Sequence, residues 1–320
     1  MAVSNPSLRQ SLLAPYIKTI KSPLMRNEAL VGFAFLSPWI LGFLLFTLIP
    51  MVLTLAMTFS NFRLVQDEPL RFVGFDNYAK LTNDPLVRQA LVVTLRFGLI
   101  SLPLAVILPV LLAALINSKS LWGKGLFYTL FYMPTIVPLV SAAFIWSGVL
   151  NPQSGWVNQI LLTLGVQNPP DWFASPTWVY PALVIMGLWG IGGGMVLMLA
   201  AMQGVSTELY EAAQMDGAGP ITQFFYITLP MVSPVIFYNL ILAVIALFQY
   251  FLPAVVLFSG NGDPAGSTWF YNLYLYKQFF TYQDMAYGAT LAWLMFMIIL
   301  VITGVLWWSQ KYWVFYTSEK

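Results

Sequence analysis

The sequence predicts an all-α transmembrane fold: six membrane-spanning helices with a cytoplasmic helical hairpin between spans four and five. Three observations carry this. Of 320 residues, 59% are hydrophobic and 8% charged, whereas soluble domains carry roughly 25% charged residues. The mean hydropathy is +0.76. The apolar residues are gathered into runs of about 20 or more, the length a bilayer demands. Composition also excludes functions. There is no cysteine and no histidine, so no disulfide framework, thiolate metal site or imidazole base exists. A net charge of +2 implies no nucleic acid partner. The 16% aromatic content suits belts at the membrane–water interface, facing lipid, and also stacking on a sugar ring.

Residues 1–29 hold Arg9, Lys18, Lys21 and Arg26 against Glu28 alone, broken by Pro6, Pro15 and Pro23. They read as a basic cytoplasmic arm without a signal-peptide core. The first span is expected at 30–58. Pro38 and Pro50 are tolerable there because neighbouring helices re-satisfy freed carbonyls. A polar loop at 60–89 leads to the second span, 90–116. Arg96 lies near its outer end, shallow enough to snorkel to the surface, although an ionisable residue in a span is also a functional signal. The third span, 125–149, carries Pro134 and Pro138. In the following outer loop, Ile160–Gly165 reads as an interfacial helix ended by its glycine.

The fourth span, 180–202, contains Gly187, Gly190, Gly192, Gly193 and Gly194. Such a cluster permits either a tight crossing with another helix or a bending point. The fifth span, 231–258, carries Asn239, Gln249 and Tyr250. Buried amides are costly in hydrocarbon unless partnered, so these residues are expected to face protein or a water-filled path. Asn239 and Gln249 lie just under three turns of helix apart and are expected on one face. The sixth span is expected at 285–308, with a tail at 309–320.

Six spans put both termini on one side. That side holds eight Lys or Arg: four in the arm, then Lys119, Lys124, Lys311 and Lys320. The other holds five: Arg63, Arg71, Lys80, Arg88 and Lys277. The positive-inside rule then makes the termini and the 203–229 connection cytoplasmic.

That connection has its own local logic. Ser206 or Thr207 can cap a helix whose first turn holds Glu208 and Glu211, where the helix dipole favours negative charge. Gly217 is placed to end it and Pro220 to start another. Small residues at Ala212, Ala213, Gly217 and Ala218 let a partner approach closely. Physically this is a hairpin that either caps two spans or docks a partner.

The run Glu211-Ala212-Ala213, Asp216-Gly217-Ala218, then Phe224, Ile227, Leu229, Pro230 and Pro234, resembles the EAA motif of permease subunits of ATP-binding-cassette importers. Phe72-Val73-Gly74-Phe75-Asp76-Asn77-Tyr78 is similar to a signature of the carbohydrate-type permeases. So are Tyr128 to Pro138 with Trp146, and the Asn151-Pro152 and Gly155 to Asn158 loop. Asn261 and Asp263 interrupt the G-G-P that relatives carry. The resemblance covers about residues 30–308. It implies the type I fold of the group similar to maltose and glycerol-3-phosphate permeases, in a prokaryotic inner membrane.

The resemblance also implies partners: two cytoplasmic ATPase subunits, a second homologous permease, and an extracytoplasmic solute-binding protein that delivers a carbohydrate, a di- or oligosaccharide. No G-x-x-x-x-G-K-[ST] loop occurs in the chain, so ATP and Mg belong to the ATPase subunits, and this chain carries no cofactor and is not an enzyme. Glu211, Ala212, Ala213, Asp216, Gly217 and Ala218 would form the ATPase-coupling site. Asn239, Gln249 and Tyr250 would be substrate-pathway residues. The alternatives are an importer permease for a non-sugar solute and an ion-coupled secondary transporter. The second usually needs an intramembrane carboxylate or histidine, and none falls within an expected span.

Overall fold

The computed structural model describes residues 23–65, 68–118 and 120–316. Most of the expected arm, with Asp67, Lys119 and residues 317–320, lies outside them. Apart from one antiparallel bridge between Ser60 and Phe72, the described regular structure is helical.

The chain enters as α1 (Pro23–Phe43), a π-helical turn at Leu44–Leu48, and α2 (Ile49–Met57). Pro50 lacks the N–H that would bond back along the helix, and its ring needs room there. The widened turn just before it supplies that room. The Phe72–Tyr78 signature folds beneath α2. Phe59 packs on Phe75 and Tyr78 with ring centroids 5.5 and 5.7 Å away, and Asn77 donates to the carbonyls of Thr58 and Ser60. Then come α3 (Asp76–Asn83) and α4 (Pro85–Asn117), a 33-residue helix.

Next are α5 (Lys124–Tyr132), a 3-10 turn at Met133–Ile136, and α6 (Leu139–Val149). Pro138 pushes Val137 into extended backbone, φ −74° and ψ 124°, so the expected third span bends by 109°. After α7 (Trp156–Thr163), the expected fourth span is α8 (Val179–Trp189) and α9 (Gly192–Gln203), bent by 52° at Gly190. The polar connection is α10 (Thr207–Met215). Then α11 (Pro220–Gln223), a π turn at Phe224–Thr228 and α12 (Leu229–Phe248) form one rod, followed by α13 (Leu252–Phe258), α14 (Tyr271–Phe280) and α15 (Met285–Trp313). Pro230 follows its π turn as Pro50 follows its own.

Among the described residues, four helices are long and apolar enough to cross a membrane: Leu30–Met57, Pro85–Asn117, Pro220–Phe248 and Met285–Trp313. Counting each bent pair as one makes six. The fifth differs from the expected 231–258. It starts at Pro220 and ends at Phe248, because Gln249, Tyr250 and Phe251 leave the helix before α13. The second helix of the connection is therefore the base of a span.

The core forms where α4 packs against α9 and α12. One cluster gathers Ala113, Met195, Met198, Met202 and Val232, and another gathers Phe97, Leu183, Phe270, Tyr271, Tyr287 and Leu291. The first span stands outside this core: none of its apolar window is buried, and it touches the rest along α15.

The glycine cluster does both things expected of it, at different residues. Gly190 ends α8 at the bend. At Gly192 an added Cβ would lie 2.2 Å from the Phe131 carbonyl oxygen, while at Gly193 it would meet nothing within 4 Å. Gly192→Ala should therefore destabilise the detergent-solubilised protein by about 1–3 kcal/mol through overpacking. Gly193→Ala should leave its thermal unfolding unchanged or raise it slightly.

Candidate coupling corner and solute pathway

The helix α10 is built as its sequence dictates. Ser206 caps it, accepting from the Glu208 N–H at 3.3 Å. Glu208 is alone in the first turn, and Glu211 falls one turn later than expected. The end is a Schellman arrangement: the Ala218 N–H bonds to Ala213 O at 2.8 Å and the Gly217 N–H to Gln214 O at 3.0 Å. This needs the left-handed backbone of Gly217, φ +81°. Glu211, Ala212, Asp216 and Gly217 are exposed; Ala213 and Ala218 are half-buried. Apolar side chains ring the acidic helix in the open, with Met215 89% and Ile221 75% exposed.

Two contacts that sequence reasoning missed fasten this corner. The hydroxyls of Tyr210 and Thr228 are 2.9 Å apart, and Gln223 donates to the Ala218 carbonyl at 2.8 Å. Tyr210 and Thr228 are 18 positions apart in sequence, a spacing no local rule connects. Thr228 is buried at the root of α12, so α10 is tied directly to the rod that rises from it.

The pathway candidates do not form one cluster. Asn239 is half-buried where α12 crosses α9, beside Gly194. Gln249 is the C-cap of α12 and exposed; its carbonyl accepts from the Asn272 amide at 2.9 Å. The expectation of a shared helical face fails although the Gln249 N–H still bonds to the Ile245 carbonyl at 3.1 Å: ten residues of helix fall about 80° short of three full turns. Tyr250 packs its ring on Phe97 and Phe270, centroids 4.8 and 5.1 Å away. Its hydroxyl is buried with no hydrogen-bond partner among the described residues. Such a group normally costs about 1–3 kcal/mol.

A cleft of about 540 Å³ opens at the other end of the bundle from the corner, between the start of α4, the start of α8 and the loop at 265–267. Asp84 on its rim closes a clasp. The side chain caps α4 through the Leu86 N–H. Its other oxygen accepts the hydroxyls of Tyr274 and, at 2.6 Å, Tyr287. Partial burial works against the charge, but the hydrogen bonds from Tyr274, Tyr287 and the backbone outweigh it and hold the carboxyl below its ordinary 3.8. Beside it, Asp284 pairs with Lys80 at 3.1 Å and caps α15.

These features fit a membrane-embedded helical bundle with an exposed polar corner. Residues 86–312 match the family model described as binding-protein-dependent transport system inner membrane component. The chain belongs to that family.

This permease is 34% identical over 94% of its length to the "Probable ABC transporter permease protein YesP" of Bacillus subtilis (strain 168), covering 96% of that protein. It is 31% identical to the lactose transport system permease protein LacF of Rhizobium radiobacter, covering 89% of this chain and 95% of LacF. A bacterial ABC transporter involved in the import of the acidic polysaccharide alginate has the same fold. Its crystal structure gives a TM-score of 0.77 at 24% identity, over 91% of this chain and 99% of that one. The permease is thus a multi-pass membrane component of an importer and not an enzyme.

The Asp84 clasp makes a pH prediction. A depressed native pKa contributes stability above the unfolded value, and that contribution is lost as pH falls through the folded one. Asp84→Asn should cost about 1–2 kcal/mol at pH 7, half-exposure holding it to the low end. The gap in thermal stability between wild type and variant should shrink as pH falls below 3.8.

Proposed function

We propose that this permease subunit carries a carbohydrate across a prokaryotic inner membrane by alternating access, driven through its 206–229 corner by two cytoplasmic ATPase subunits. The carbohydrate arrives on an extracytoplasmic solute-binding protein. The observation that carries the reading is the fastened corner: an exposed acidic helix locked by Tyr210–Thr228 to a rod that runs unbroken from Pro220 to Phe248. Family membership and the names of relatives support the solute class. These include the lactose system, the arabinooligosaccharide system of Bacillus subtilis (AraP, 32% identical) and the trehalose/maltose system of Thermococcus litoralis (MalF, 30% identical). The solved alginate importer with a periplasmic protein bound supports the delivery route.

In this reading both termini and the corner are cytoplasmic, in keeping with the excess of Lys and Arg on that side. ATP binding closes the ATPase pair, and the corner moves with it. Glu211 holds the ATPase surface by a charge-assisted bond, best supplied by an arginine. Ala212, Ala213 and Ala218 let the helix seat closely, while Asp216 and Gly217 keep the corner's geometry. The rod is 29 residues long, roughly 43 Å at 1.5 Å per residue, so displacement at its base reaches Gln249, Tyr250 and Phe251 at its top.

Asn239, Gln249 and Tyr250 then serve the solute path. The buried, unpartnered Tyr250 hydroxyl supports its place there, since opening the bundle lets it meet a sugar hydroxyl. A second, homologous permease completes the path. The uncovered first span supports such a pairing, with lipid on its remaining surface.

Vesicles containing the assembled importer should take up sugar only with internal ATP and without need of a proton gradient. Glu211→Ala should cut uptake by about tenfold or more, the cost of a charged hydrogen bond, with the ATPase subunits still hydrolysing ATP. Normal import by that variant contradicts the coupling role. Tyr210→Phe should lower uptake severalfold for a loss of about 0.5–1.5 kcal/mol.

A further inference from the structure

The outer cleft holds charge that the cycle above leaves unused. Arg88 and Arg96 both line it, with Gln89 and Tyr180. They lie eight positions apart on α4, about 12 Å along the helix axis. Neither is in an ion pair among the described residues. Asp84, the carboxylate in the same cleft, is turned to Tyr274, Tyr287 and the Leu86 N–H.

Arg96 also sits at a boundary. From Phe97 to Ile116 the helix carries no charge, about 30 Å of rise that matches the hydrocarbon thickness. Its guanidinium is therefore held where the apolar layer ends, and the side chain is exposed. The loop packs down on the same surface: at Gly266, φ +76°, an added Cβ would come within 2.2 Å of Gln89 Nε2. A surface arginine is ordinarily just solvated. Two of them in one concave site, each with five fixed donors, while the carboxylate of the lining, Asp84, is already taken by Tyr274, Tyr287 and the Leu86 N–H, make an anion receptor. The size, about 540 Å³, is that of a small-ligand site.

We propose that the cleft receives an anionic saccharide unit, one bearing a carboxylate or sulfonate, as solute passes into the permease. Arg88 and Arg96 take the acidic oxygens, Gln89 reads a neighbouring hydroxyl, and Tyr180 offers its ring as a stacking face. This deepens the permease reading and rests on it.

The test uses the importer assembled with its own partner subunits in lipid nanodiscs. Binding of a uronic acid trisaccharide is measured by calorimetry against the same trisaccharide with its carboxyls methyl-esterified. The acid should bind at least about tenfold tighter than the ester. Arg88→Gln and Arg96→Gln should each lose about tenfold for the acid and nothing for the ester. Arg71→Gln, on an outer loop and paired with Glu68 at 3.3 Å, should change neither.

Equal affinity for acid and ester overturns the proposal. So does a result in which the cleft variants leave acid binding unchanged and instead weaken capture of the solute-binding protein, which would make the arginines a docking contact. ATP hydrolysis stimulated by the solute-binding protein, measured on the same preparations, separates the two levels. Intact stimulation without acid preference rejects the anionic solute alone, whereas no stimulation at all rejects the permease reading beneath it.

Discussion

A hydrogen bond between two hydroxyls, Tyr210 and Thr228, fastens the exposed corner to the long helix above it, and the proposed coupling depends on that fastening. Without it α10 would hang from the bundle by the backbone at 203–206 and 216–219, and a push on Glu211 would bend the connection. With it, and with Gln223 holding the Ala218 carbonyl, the proposed push would enter the rod at its base. The rod is stiff because hydrocarbon offers its backbone no competing partners, so every internal hydrogen bond is strongly kept. Its weak point at Pro230 is absorbed by a π turn rather than a kink. Its top ends where Gln249 to Phe251 leave the helix, among the residues proposed for the solute path.

The other breaks in the bundle are only partly covered by this chain: Ile136, Pro138 and Gly190 are exposed and Val137 is half-buried. Irregular backbone at membrane depth survives only where protein covers it. Val137 is forced out of the helix by Pro138, and Pro134 in that turn is buried. Gly190 ends α8 in a bundle whose neighbouring Gly192 presses against the α5 backbone. The ends are tied by polar contacts: the Asp84 clasp at one, and at the other the Phe315 N–H bonded to the buried Ser233 hydroxyl at 2.8 Å. A bundle held at both ends, with small residues at its crossings, has the parts that rocking needs.

Much of this was legible from residue order. Apolar runs announced the long helices. Ser206, Gly217 and Pro220 announced the ends of the corner helices, because capping and left-handed turns depend on single residues. The signature Phe72 to Tyr78 folds as an aromatic turn on Phe59. What the sequence hid are contacts between distant positions. Tyr210 finds Thr228, and Asp84 finds Tyr274 and Tyr287, through the fold. The limits of the fifth span were hidden too. The prolines at 220 and 230 suggest a break and mask a helix continuous from Pro220 to Phe248, while the apolar appearance of Leu252 to Phe258 masks a separate one. Gln249 is expected on a helical face with Asn239, and ten residues of helix, about 80° short of three full turns, separate the two.

The proposed coupling requires the corner to lie inside the cell against a nucleotide-hydrolysing partner. The chain has no cysteine, so an introduced thiol is this subunit's single label site, and Met215, 89% exposed beside the corner, is the place for it. In sealed, right-side-out vesicles of the assembled importer, Met215→Cys should resist a membrane-impermeant maleimide until the membrane is opened. With a short bifunctional reagent it should then cross-link to an ATPase subunit. Labelling from the outer face, or cross-linking that never captures an ATPase, would contradict it.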